Sequence, residues 1–196
     1  MMYAEEGVYI RACSNKFKSY TLNDTVPSDE YITGIEVNEG NFHFYIGMTE
    51  YNSEGTWGDE TLLSGIPSVI DINDVLDIEN IFDRGLLNSD ILKENRSTSG
   101  IGSIIYQFSK AEEWPGGGSP YIGCLGEWMV VINNFNKINQ YLKKFGGEEI
   151  SSSDYWTSTQ YNASKAWTIG IGGSSAEPYV MDKISKLFVR PFGIWM

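Results

Sequence analysis

The chain has one histidine, two cysteines, and only 14 Lys and Arg against 26 Asp and Glu, for a formal charge of −12 over 196 residues. Each shortage excludes something. A protein that holds nucleic acid or an anionic bilayer needs clustered cations to displace counterions, so no nucleic-acid partner is expected. With His43 as the only imidazole, Ser–His–Asp and Cys–His chemistry would both have to run through one residue. It lies in Asn41-Phe42-His43-Phe44-Tyr45-Ile46, where alternation puts it on the strand face opposite Phe42 and Phe44. A half-exposed strand position is the simpler assignment. Cys13 and Cys124 form no Cys/His cluster with metal-ligand spacing. They can pair, but two buried free thiols are the favoured reading. No apolar run approaches the roughly 18 residues of a membrane-spanning helix, and no basic-then-apolar leader opens the chain. Gly170, Gly172 and Gly173 lack the lysine and helix start of a phosphate loop. We therefore expect no catalytic residue, metal or cofactor.

Aromatics, by contrast, are abundant (6 Trp, 12 Tyr, 9 Phe), and 21 glycines imply a turn-rich framework around them. The length suits one domain over 1–196, with a β-rich part at 1–68, a helical part at 69–147 and a display region at 148–196. Strands are predicted at Gly7–Arg11, Lys16–Tyr20, Tyr31–Val37 and Asn41–Met48, the last two joined as a hairpin through Asn38-Glu39-Gly40-Asn41. Residues 50–68 read as loop, with Trp57 a plug between Gly55 and Gly58. Ile70–Phe82 suits an amphipathic helix. Its carboxylates Asp71, Asp74, Asp77 and Glu79 lack the glycine and terminal Glu of a calcium loop, so a solvated face is expected. Asn88–Leu92 reads as a cap entering a short helix, Ile101–Phe108 as a buried segment and Trp114–Pro120 as loop. One long helix is expected from Gly126, carried by Trp128, Val131, Ile132, Phe135, Ile138, Leu142 and Phe145, and stopped at Gly146-Gly147. Sheet and helix bury one another in an α+β fold.

In the final forty residues, Trp156, Trp167 and Phe188 are large rings among small neighbours and read as core anchors; Trp128, on the expected helix, is also framework. Arg190 sits inside an apolar end strand, where a charge must be hydrogen-bonded, so it braces the frame. Glu127 is either its partner or a first-turn helix carboxylate. Between the anchors, Tyr161, Asn162, Ser164, Lys165, Thr168, Gly170, Gly172, Ser174, Glu177, Tyr179, Met181, Lys183, Ser185 and Leu187 follow no core pattern. All but Gly172, Ser174 and Leu187 are the candidate ligand-binding residues. Tyr161, Tyr179 and Met181 would supply adaptable aromatic and thioether contacts.

Tyr121-Ile122-Gly123-Cys124-Leu125-Gly126-Glu127-Trp128, Tyr155-Trp156-Thr157-Ser158-Thr159, Ala166-Trp167 and Val189-Arg190-Pro191-Phe192 together resemble bacterial and phage C-type lectin-like domains. They are most similar to the receptor-binding variable proteins of diversity-generating retroelements. The resemblance covers residues 121–195 and extends loosely to Gly7-Val8-Tyr9-Ile10, Tyr20-Thr21, Trp57-Gly58 and Leu63-Ser64-Gly65. It implies a C-type lectin-like fold, a twisted antiparallel sheet with flanking helices. It also implies a non-enzymatic adhesion or receptor-binding role toward a cell-surface protein or glycan, at a bacterial surface or phage tail, and a homotrimer by analogy. A subunit-packing domain of a surface or tail assembly is the alternative, with an enzyme of the formylglycine-generating kind behind it. Glu177-Pro178-Tyr179 resembles the calcium and sugar motif of animal lectins, but Tyr179 replaces the ligating amide, so that chemistry is not carried over.

Overall fold

A computed structural model describes residues 7–13, 18–79, 83–110, 119–173 and 175–194. The part of the first helix expected at 80–82, the loop expected at 114–118, Lys16-Phe17 and Ser174 lie outside the described residues. The chain runs through β1 (Gly7–Cys13), β2 (Lys18–Tyr20), β3 (Tyr31–Glu39), β4 (Phe42–Gly47) and β5 (Tyr51–Thr56). A 3-10 turn at Ile72–Asp74 then leads into α1 (Val75–Glu79), α2 (Arg84–Glu94) and α3 (Gly100–Phe108). After β6 (Tyr121–Ile122) come α4 (Leu125–Asn133) and α5 (Phe135–Lys144). The chain finishes through β7 (Asp154–Gln160), β8 (Lys165–Gly172), β9 (Ser175–Asp182), β10 (Lys186–Val189) and β11 (Pro191–Gly193).

This α+β chain builds two sheets where one was expected. The first has the order β2-β1-β3-β4-β11-β6, so the last strand is inserted between an early strand and β6. The second has the order β5-β10-β7-β8-β9 and is antiparallel except where β10 meets β7. The β3–β4 hairpin forms as predicted. Residues 51–56 are a strand rather than loop, because β10 pairs with them and the Trp156 indole donates to Gly55 O at 2.8 Å. The main core gathers Phe44, Trp128, Tyr155, Trp167 and Phe192 between the sheets and α4–α5, and a second cluster around Trp57, Trp156 and Ile104 lies under α3.

The expected long helix is two. Asn134 breaks it: its amide nitrogen donates to Val130 O and reaches across to the Glu39 carboxylate at 2.7 Å. α5 ends where expected, with Gly146 at φ 78° and Gly147 N–H returning to Leu142 O, a Schellman closure that glycine accommodates without strain. Asn88 and Ser89 are not a cap. They lie buried inside α2, where Ser89 Oγ accepts from Ile122 N–H and donates to Ile122 O.

The N-terminus of α4 accounts for Glu127 and corrects Glu79. Glu127 Oε2 accepts from Cys124 N–H at 2.8 Å, half of a capping box, while its Oε1 accepts from Tyr121 Oη at 2.6 Å. Glu79 is wholly buried rather than part of a solvated face. It accepts from Gly126 N–H at 2.9 Å and from Thr159 Oγ1 at 2.5 Å. Thr159 Oγ1 in turn accepts from Leu125 N–H. Three backbone donors at the head of α4 are thus met by side chains from three different elements. Asp71, Asp74 and Asp77 are exposed, and Cys124 is a buried free thiol. The Cys13 side chain lies outside what is described.

Arg190 is fully buried and partners neither carboxylate of this cluster. Its Nε and Nη2 donate to Gly47 O (3.1 and 2.8 Å), Nη2 also donates to Glu148 O (2.9 Å), and Nη1 lies 3.6 Å from the Glu50 carboxylate.

Two predictions follow from these buried groups. Burial raises the Glu127 pKa to about 7 from its ordinary 4.5. The folded chain then keeps a proton that the unfolded chain has released. The resulting stabilisation is complete below the unfolded value and is lost as pH rises through about 7. Glu127→Gln, which can still accept from Cys124 N–H, is expected to shrink the difference in Tm between pH 5 and pH 8; an unchanged difference would mean a carboxylate charged throughout. Arg190→Met strands the buried Gly47 carbonyl and leaves Glu148 O and the Glu50 carboxylate without their guanidinium partner. Urea denaturation should show a loss of about 3 kcal/mol at constant slope.

Candidate functional site

The predicted contact residues fall on β8, β9 and the turns that flank them. Direct partners across the pair are Ala166 with Met181, Trp167 with Val180, Thr168 with Tyr179, and Gly170 with Glu177. Facing residues share a side, so the alternation sorts them. Trp167, Ile169 and Val180 turn toward the main core, and Tyr161 packs edge-on against Trp167 with ring centroids 5.8 Å apart. Ala166 and Met181 lie over the Trp156 cluster on the opposite side. Tyr161 is therefore separated from Tyr179 and Met181 by the sheet, and the expected single surface divides in two.

Two of the predicted contacts point inward. Thr168 is fully buried, opposite Trp156. Lys183 is fully buried as well: its ammonium lies 4.4 Å above the Trp57 ring and donates to Thr61 O at 2.7 Å and Gln160 Oε1 at 3.3 Å. Removal from water pushes its pKa down to about 8. Leu187 is also core, whereas Phe188, expected as an anchor, is half-buried against Tyr155. Trp128, Trp156, Trp167 and Arg190 are buried framework.

Asn162 shapes the β7–β8 loop. Its Oδ1 accepts from Ser164 N–H and Lys165 N–H, both at 2.9 Å, and from Ser164 Oγ at 3.3 Å. Tyr161 and Asn162 N–H return to Lys165 O, and Ser164 O receives Lys183 N–H. Asn162 and Ser164 are thus fixed from within, as an Asx turn requires. Ser185 closes the β9–β10 turn by donating its N–H to Asp182 O.

What faces solvent is narrower than the sequence implied. Lys165 pairs with Asp182 at 3.3 Å, both half-open to water, and Glu177 is exposed. Tyr179 lies half-buried over Gly170, where a Cβ would meet its ring at 2.7 Å, beside Asp154. Burial raises the Tyr179 pKa, the Thr168 hydroxyl pulls against this, and the Asp154 carboxylate adds to the rise. Asp154, Asp182 and the 60 %-exposed Ile184 were not singled out from the sequence. The only signal for Ile184 was an apolar residue inside a polar turn.

β9 is also the long open edge of its sheet. At the other edges β6 is closed by Ser89, β5 is covered by α3 at Gly55, and β2 has three residues. β9 runs for eight residues and pairs only with β8 among the described residues, with Pro178 interrupting its row of donors. The result is a stiff hairpin with mixed polar and aromatic decoration.

A search of protein-family models and of curated proteins finds no match to this chain. Among solved structures it is similar to a fimbrial protein from Bacteroides ovatus, with a TM-score of 0.59 and 14% identity. The alignment covers 98% of this chain and 49% of that one, so the chain spans about half the length of this neighbour. The likeness is one of fold.

Asn162→Ala should cost about 1 kcal/mol and speed amide hydrogen exchange at Lys165 at least tenfold, whereas Asn162→Asp, which keeps the acceptor, should do neither.

Proposed function

We propose that the chain is a non-catalytic surface-adhesion module, a single C-type lectin-like domain over residues 1–196. Its β8–β9 hairpin would contact a protein or glycan on a cell surface. The observation that carries this reading is the division of labour within the hairpin. Trp167 donates its indole N–H to Val69 O at 2.7 Å and Lys183 is locked beneath the turn, while Glu177 is exposed, Lys165 pairs with Asp182 at the strand end, and Tyr179 and Met181 are half-buried on the hairpin face opposite Trp167. Rigid backbone with adaptable side chains lowers the ordering cost of binding. The fimbrial neighbour supports a surface role. Diversification of residues 155–192 belongs to the resemblance alone, and a nearby reverse-transcriptase gene with an imperfect copy of that region would support it.

A second reading, a subunit-packing domain in a surface assembly, is favoured by the neighbour's being twice as long and by the exposed Ile184 beside the open edge. The combined variant Lys165→Glu, Glu177→Lys and Tyr179→Ala tests both on a glycan array and on whole cells. Binding should fall tenfold or more while Tm drops by no more than several degrees, since the Lys165 and Glu177 changes cost roughly 0.5 kcal/mol or less each and only the half-buried Tyr179 ring takes packing with it. Undiminished binding, or unfolding, would end the adhesion reading. Light scattering that shows an oligomer falling apart in this variant would favour the packing role.

A further inference from the structure

A groove of about 620 Å³ opens on a different part of the molecule, between the β3–β4 turn, the segment leading into α1, and α4. Its apolar lining comes from Phe42, Ile72, Val75, Leu76, Met129 and Val130. Leu76, 53 % exposed, extends this apolar lining to the surface. The volume falls within the roughly 300–1,000 Å³ common for binding pockets.

The charge around the groove has one sign. Residues 37–44, 69–79 and 125–136, which supply the walls, contain no Lys or Arg. Apart from the buried Glu79 and Glu127, they carry Glu39, half-buried on the lining, and Asp71, Asp74 and Asp77, all exposed on the segment that also provides Ile72, Val75 and Leu76. None of these four has a salt-bridge partner among the described residues. An apolar trough flanked by unneutralised carboxylates is complementary to apolar side chains flanked by cations. It is poorly suited to a second copy of a chain that itself carries −12.

We propose that this groove docks a peptide segment of a partner protein, one that inserts one or two apolar side chains and carries Lys or Arg on either side. Met129 gives the wall a flexible thioether that can adjust to different apolar side chains. The site shares no residue with the β8–β9 hairpin, so it stands apart from the adhesion reading.

The test is to pan a phage-displayed random 12-residue library on the immobilised full chain, with subtraction on Leu76→Arg. That substitution is at an exposed position and places a cation at the groove. Enriched peptides should be net positive with apolar residues between the charges. As synthetic peptides they should bind at least tenfold more weakly to Leu76→Arg, and more weakly as salt rises, while Leu62→Arg, at an exposed leucine outside the groove, leaves binding within twofold. No enrichment over the Leu76→Arg background, or enrichment of neutral or acidic peptides, would overturn the proposal. A dimer of the parent chain that dissociates on Leu76→Arg would also overturn it, by giving the groove to a second copy.

Discussion

The rest of this structure depends on the satisfaction of one helix end inside the protein. The head of α4 is buried among β6, β7 and α1, where water cannot serve its free N–H groups, and two desolvated carboxyl groups and the Thr159 hydroxyl take them instead. The positive end of the helix dipole favours acidic side chains there. Desolvation opposes their ionisation and raises the pKa of both Glu79 and Glu127. The same contacts fix neighbouring elements. Glu79 draws α1 onto α4, Thr159 ties β7 to the helix, and Tyr121 anchors β6. α2 must pass so close that a Cβ at Gly85 would collide with a Glu127 oxygen.

A second constraint links distant parts of the sequence. Trp57 donates its indole N–H to Thr157 O at 2.9 Å, Trp156 donates to Gly55 O, and Trp167 to Val69 O. Each bond joins residues about a hundred positions apart. β5 and the Trp57 plug are thereby pinned to the strands that carry the hairpin. The rings also bury large apolar area, so each tryptophan works as both packing mass and tether. With Lys183 held over Trp57, the hairpin stands on parts of the chain more than a hundred residues earlier.

Sequence patterns revealed the elements that alternate cleanly and missed those made by tertiary pairing. β3 and β4 were legible because β-branched and aromatic residues recur around a short Gly turn. β5, Tyr-Asn-Ser-Glu-Gly-Thr, has no such pattern and exists because β10 and α3 need it there. The break at Asn134 was hidden because α4 and α5 both present apolar residues to one core, so the hydrophobic period runs on through the interruption. Glu79 fitted the polar stripe of an amphipathic helix, and only its neighbours reveal its burial. At the hairpin, the anchors Trp156, Trp167 and Arg190 were evident as bulky or charged residues in unusual company. The inward turn of Thr168 and Lys183 and the separation of Tyr161 from Tyr179 depend on register, which composition does not encode.

β11 has a consequence for biosynthesis. Three residues from the very end of the described chain fill the gap between β4 and β6. A ribosome delivering about 5–20 residues per second must make the whole stretch between β4 and β11 before this sheet can close. Until then β4 presents an unpaired apolar border, the kind of surface that chaperones shield and that neighbouring nascent chains can capture. Closure of this sheet thus waits on a segment made long after β4, and it proceeds through long-range pairing.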